Sequence, residues 1–166
     1  MDRALLDRLH MEMIRLDAGD PGLAQHFCKV HAYAALIGRQ EGMPEDALFT
    51  LEAAAYTHDI AIPYCRKKYG SGDGKYQEIE GPAIAKEMLE RLGFPEEVSA
   101  HVQYLIAHHH TYTDIQGLDY QILVEADFIV NLFEGNDSRE AVKNTLERIF
   151  GQRPGNGSAG KCLAYE

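Results

Sequence analysis

Leu48-Phe49-Thr50-Leu51-Glu52-Ala53-Ala54-Ala55-Tyr56-Thr57-His58-Asp59 is the stretch that decides how this chain reads. Leu48, Leu51, Ala55 and His58 recur three and four residues apart, the spacing of one face of an α-helix. Gly42 and Pro44 separate the stretch from what precedes it, and the three alanines leave room for another helix to approach closely. It ends on an imidazole beside a carboxylate. Adjacent helix residues point about 100° apart, so both side chains reach one ligand only at a helix end or between helices. An equally simple reading is a histidine favoured by the dipole at a helix C-terminus, with the aspartate opening a turn.

Outward from this stretch the chain continues helix by helix. Leu5, Leu6, Leu9, Met13 and Leu16 have helical spacing. Asp20-Pro21 supplies an N-cap and a first-turn proline for a helix running to about Arg39. Pro63 and the residues 66–75, with Gly70, Gly72 and Gly74, read as a loop. A helix is expected from about Glu78 to Leu92, closed by Gly93. Pro95 opens another, with Val98, Val102, Leu105 and Ile106 on its buried face. Gly117 precedes the nearly continuous apolar segment Tyr120 to Phe133. Asp137 and Glu140 fit a capping box for a last helix ending near Gly151, and residues 152–166, rich in Gly and Asn, are expected to form a flexible tail. There is no repeat and no strand-like alternation. The expectation is an all-α fold of about six to seven helices, one domain over residues 1–151.

Composition narrows the function. With 166 residues, 45% hydrophobic and 25% charged, the chain is an ordinary globular sequence. Its net charge of −10 argues against a general nucleic-acid partner, a duplex above all, though not against a small phosphorylated one. No signal-peptide core and no apolar run of transmembrane length argue against a membrane partner. Three scattered cysteines suit a reducing cytoplasm better than a disulfide framework. Arg66, Lys67, Lys68 and Lys75 place four of the sixteen cations beside the glycines. Such a cluster suits a phosphate, and suits a solvated surface loop as well.

Three further places carry chemistry. His31 sits mid-helix among small apolar residues, His108, His109 and His110 are consecutive, and Asp127 lies within Ile122-Leu123-Val124-Glu125-Ala126-Asp127-Phe128-Ile129-Val130. A carboxylate buried there costs several kcal/mol unless paired or coordinated, whereas Glu125 has the option of facing solvent. Taken singly, His31 reads as a core histidine and Asp127 as half of a salt bridge. Together with His58 and Asp59 they offer two imidazoles and two carboxylates on separate helical segments. That donor set suits divalent Zn, Fe or Mn with coordination positions left open for water and substrate.

The order His31 … His58-Asp59 … Asp127, with Gly81-Pro82-Ala83-Ile84-Ala85 and Ile106-Ala107-His108-His109 between, resembles the HD-domain superfamily of metal-dependent phosphohydrolases over about Leu23 to Leu132. The resemblance implies a helical HD bundle in which His31, His58, Asp59 and Asp127 hold one divalent ion (Fe, Mn, Zn, Co, Ni or Mg). It implies hydrolysis of a phosphate ester or anhydride, commonly of a nucleotide. Two-metal members usually carry histidine where this chain has Gln77, which favours a single metal and leaves Gln77 to the substrate side. In this reading Asp59 orients the attacking water, His109 serves the leaving oxygen, and Lys68 with Arg66 or Lys75 neutralises phosphate charge. His108 and His110 act on substrate or on a weak second site. A catalytically idle metal- or nucleotide-binding module and a diiron oxygenase are the alternatives, the latter opposed by Gln77. A homodimer through Leu5 to Leu16 or Ile122 to Leu132 is compatible with the apolar patterning.

Overall fold

The computed structural model describes residues 2–135 together with Glu140 and Asn144. The expected last helix, the expected flexible tail and Cys162 fall outside the described residues. Among the described residues there are seven helices and no strand. They are α1 (Arg3–Leu16), α2 (Pro21–Gln40), α3 (Glu45–Thr57), α4 (Ile62–Tyr69), α5 (Gly74–Leu92), α6 (Glu96–Ile106) and α7 (Leu118–Glu134).

Local chemistry sets the boundaries. The Asp20 carboxylate accepts from the backbone N–H groups of Gly22 and Leu23, and Pro21 occupies the first turn of α2, where a missing N–H costs nothing. The α1 stripe Leu5, Leu6, Leu9 and Met13 is buried, while Leu16 at the helix end is exposed. Every residue of α3 from Leu48 to Thr57 is buried. α3 is thus the hub of the molecule: α1, α2, α6 and α7 all pack on it, and the fully buried Ala53, Ala54 and Ala55 admit their backbones closely. α5 packs chiefly on α6, and α7 on α2.

Two expectations are corrected. The segment read as a loop over residues 66–75 is helical to Tyr69. Pro63 sits in the first turn of α4, and Gly70, at φ 71°, ends the helix in the left-handed conformation. Only residues 70–73 separate α4 from α5, which begins at Gly74 rather than near Glu78, so Lys75 is helical. Pro82 lies inside α5, where it removes one backbone hydrogen bond, to the Glu78 carbonyl, without ending the helix. Glu125 does not face solvent: it is buried, and the Gln121 amide donates to it at 2.8 Å. No helix among the described residues is long and apolar enough to cross a membrane. Cys28, half-buried, and Cys65, buried, are both free thiols.

Candidate metal centre

α3 ends where the chemistry begins. His58 is its C-terminal boundary residue, and Asp59 already belongs to the following turn, whose carbonyl accepts from Ile62 N–H at 3.0 Å. That helix end lets adjacent residues point into one space. α7 supplies Asp127 from its buried face, and α2 supplies an imidazole that sequence reasoning missed, His26.

His26 shares the buried stripe of α2 with Val30, Ala34 and Ile37. His31, five residues further on, is rotated about 140° around the helix. It lies instead with its ring stacked on Tyr56, centroids 3.9 Å apart, and its Nε2 3.4 Å from the buried carboxylate of Glu52, which Arg3 also binds. The structure therefore puts His26, and not His31, at this centre. The signal was present in the sequence: His26 keeps the spacing of Val30 and Ala34, whereas His31 breaks it.

The donors converge within coordination reach. His26 Nε2 is 3.2 Å from His58 Nε2 and 3.1 Å from Asp127 Oδ1. Asp59 Oδ2 is 3.4 Å from His58 Nε2 and 3.5 Å from His26 Nε2, and Asp127 Oδ1 is 3.6 Å from His58 Nε2. The far oxygen of Asp59, Oδ1, faces His109 Nε2 at 3.6 Å. His26, His58 and Asp59 form one group able to hold a metal ion, and Asp59, His109 and His110 form a second.

Each histidine is oriented through its other nitrogen. His26 Nδ1 donates to Glu134 Oε2 at 2.9 Å, His58 Nδ1 to the Ala55 carbonyl at 2.9 Å, and His109 Nδ1 to the Ile106 carbonyl at 2.8 Å. With the proton on Nδ1, every Nε2 presents a lone pair to the centre, the arrangement that orients metal-ligating imidazoles. The Nε2 atoms of His109 and His110 are buried without a hydrogen-bond partner. Asn131 Nδ2 donates to Asp127 Oδ1 at 2.8 Å and fixes the second carboxylate. The donor set fits a divalent cation held by His26, His58 and Asp59, with Asp127 Oδ1 beside them 3.1 Å from His26 Nε2.

Electrostatics express the same arrangement. Burial opposes a charged His58, yet Asp59 and Asp127 outweigh it and hold the imidazole well above its ordinary value. His26 is raised likewise, burial being outweighed by Asp127 and Asp59 against the opposing His58 charge. Burial would raise both carboxyls, but the imidazoles hold Asp59 well below the carboxylate range and also depress Asp127. The protons on these imidazoles do the work a cation would do. Burial and then His109 push His110 down to about 4, so its imidazole is neutral at physiological pH.

The remaining expected site residues divide. The end of α6 at Ile106 releases the three histidines into a turn, and they diverge: His109 and His110 face Asp59. His108 turns the other way, its Nδ1 on the Tyr104 carbonyl and its ring 4.6 Å from that of Tyr104. Gln77 is buried, donates through Nε2 to the Gly72 carbonyl at 2.9 Å, and leaves Oε1 without a partner. It shares a stripe of α5 with Gly74, which lies against the His110 ring, and with Gly81, which lies against Ile106 and Ala61. The cations are already engaged: Arg66 binds Asp20 at 2.8 Å, Lys68 binds Glu80 at 2.7 Å, and Lys75 lies over the Tyr76 ring at 4.7 Å.

A helical bundle that gathers imidazoles and carboxylates at one buried helix end defines a class of metal-binding α-proteins. Within that class the chain belongs to the HD-domain family, whose model matches residues 23–149. The fold is similar to the crystal structure of a predicted HD superfamily hydrolase from an uncultured Thermotogales bacterium. The two share 23% identity over 90% of this chain and 84% of that one, with a TM-score of 0.57. No curated protein matches the chain.

Proposed function

We propose that this protein is a metal-dependent phosphohydrolase that cleaves a phosphate ester or anhydride of a small molecule, nucleotides being the first class to test. The observation that carries the reading is the pair of inward Nε2 atoms on His26 and His58 facing the carboxylates of Asp59 and Asp127, with the second Asp59 oxygen turned toward His109. Those four residues would hold a divalent cation, which would supply Lewis acidity toward a phosphoryl oxygen and toward water. Asp59 would help hold such a cation, and its Oδ1, turned toward His109, would orient the attacking water. His109, its Nδ1–H tied to Ile106, offers Nε2 to take a proton from that water and return it to the leaving oxygen. The burial of His58, Asp127 and His109 excludes bulk solvent from the reacting atoms, which strengthens each of these interactions. Asp59, His109 and His110 have the donors for a second, weaker cation position on the open side.

The free thiols Cys28 and Cys65 suit a reducing cytoplasm. Metal content measured on protein purified without chelator, followed by a phosphate-ester panel in that metal, tests the reading. About one equivalent of metal is expected, by the four-donor count, with hydrolysis abolished in Asp59→Ala at unchanged helix content. Two irons with a redox-active absorbance would favour the oxygenase alternative, and saturable phosphate binding without turnover the idle module.

A further inference from the structure

The turn that carries His109 and His110 is held by a neighbouring helix. α6 ends at Ile106, and beyond it His108 N–H reaches the Leu105 carbonyl at 3.2 Å and Thr111 N–H the His108 carbonyl at 2.7 Å. The His110 N–H goes instead to a side chain, Oε1 of Glu78 on α5, at 3.1 Å, and the Thr111 hydroxyl donates to the same oxygen at 3.0 Å. Glu78 is well placed to receive both. Gly74, one turn earlier on α5, lies so near the His110 ring that a Cβ would come within 2.5 Å of it. Gly81, one turn later, would set a Cβ 2.6 Å from Ile106. The two glycines bring α5 down onto the end of α6, and Glu78 stands between them on the same face. From α7 the Tyr120 hydroxyl donates to the His108 carbonyl at 2.6 Å.

The amide that Glu78 holds is the peptide plane between His109 and His110, so one hydrogen bond restrains the backbone torsions on both sides of it. At their inner ends the two rings are not tied: the Nε2 atoms of His109 and His110 have no hydrogen-bond partner, and His109 Nε2 stands 3.6 Å from Asp59 Oδ1. Their convergence on Asp59 is therefore set from the backbone side. We propose that Glu78 is a positioning residue: by accepting from His110 N–H and the Thr111 hydroxyl through one oxygen, it holds the His109–His110 peptide plane at the angle that aims both imidazoles at Asp59. The role rests on the hydrolase reading above, in which His109 moves a proton; Glu78 acts through His109 and touches neither substrate nor metal. What the geometry asks of this position is an acceptor at this reach and not a charge. Glutamine keeps a carbonyl oxygen with two lone pairs at the same distance from the backbone, whereas aspartate keeps the charge one methylene short.

The test compares Glu78→Ala, Glu78→Gln and Glu78→Asp with the wild type. Imidazole proton–nitrogen correlation spectra are recorded on zinc-loaded protein, with His109 and His110 assigned from their alanine variants. Metal content, and kcat and KM for 4-nitrophenyl phosphate, are measured on protein carrying the metal it is purified with. Glu78→Ala and Glu78→Asp are expected to shift or broaden the His109 and His110 signals and leave those of His26 and His58 in place. Both should lower kcat about 10- to 100-fold, the cost of misplacing a reacting group by about 1 Å, at unchanged KM and metal content. Glu78→Gln is expected to show wild-type spectra and a kcat within about twofold of the wild type. Wild-type His109 and His110 signals in Glu78→Ala, or an unaltered kcat, overturn the proposal. So does a Glu78→Asp variant that behaves as the wild type while Glu78→Gln does not, because charge would then be what matters. If circular dichroism shows Glu78→Ala unfolded, the other two variants decide. A metal-loaded wild type that cleaves neither 4-nitrophenyl phosphate nor any ester of the panel overturns the hydrolase reading, and the imidazole spectra then decide the positioning by themselves.

Discussion

Replacing His26 and His31 separately by alanine separates the donor of the centre from its near neighbour. His26 is one of the four residues read here as donors, with His58, Asp59 and Asp127, and its Nδ1 is held by Glu134. Structural divalent sites with four donors bind with about 10–16 kcal/mol, so one donor accounts for about 2.5–4 kcal/mol, on the order of a 100-fold loss of affinity. His26→Ala is therefore expected to lose metal during purification and to need on the order of 100-fold more metal for half-saturation in a competition titration with a chromophoric chelator. His31→Ala should bind metal as the wild type does. Its cost falls on stability: the stack on Tyr56 is worth about 0.5–1.5 kcal/mol, and Glu52 would keep only Arg3 as a partner. Thermal unfolding should show that loss with saturation unchanged. Metal retained in His26→Ala but lost in His31→Ala would refute the assignment and the packing argument behind it.

Glu134→Gln weakens the acceptor that orients His26 and should lower metal affinity about 10- to 100-fold in the same titration without touching a ligand. For the metal-free protein the sign of the pH dependence follows from the shifts. His26 and His58 are raised, so their contribution is complete below their ordinary value of 6.5 and is lost as pH rises through the higher folded values. The depressed Asp59 and Asp127 contribute above their ordinary 3.8 and fail only in acid. Calorimetry should therefore show Tm falling from pH 6.5 to 9 without metal and holding with it; a metal-free Tm that rises over this range would contradict the site's electrostatics. Gly74→Ala would set a Cβ 2.5 Å from the His110 ring and is expected to cost about 1–3 kcal/mol on thermal unfolding despite alanine's better helix propensity. Gly19→Ala, whose Cβ meets nothing within 4 Å, is the neutral control.

Much of this architecture is legible in the sequence because local chemistry and burial agree. Asp20-Pro21 starts α2, Gly93 closes α5, and the apolar run of α7 with its lone Asp127 announces a buried carboxylate in need of a partner. The failures have physical causes too. Arg66, Lys67 and Lys68 read as loop because charge and glycine dominate the segment, yet Pro63 is compatible with a first turn, and the three cations belong to the last turn of α4, where they suit its dipole. His31 drew attention by its apolar neighbours, while His26, one turn before Val30, had the phase that counts. Composition is symmetric between two histidines five residues apart; only the helix rotation distinguishes them. The engagement of Arg66 and Lys68 by Asp20 and Glu80 joins residues 46 and 12 positions apart, beyond any local pattern.

The family match begins at residue 23, yet α1 precedes it and lays Leu5, Leu6, Leu9 and Met13 into the same core, while Arg3 reaches across to the carboxylate of Glu52, inaccessible on the hub helix. Without that guanidinium a charge at the centre of the bundle would keep only an imidazole for company. The packed core of this protein accordingly extends beyond the matched residues: a helix that precedes them closes one side of the core they form.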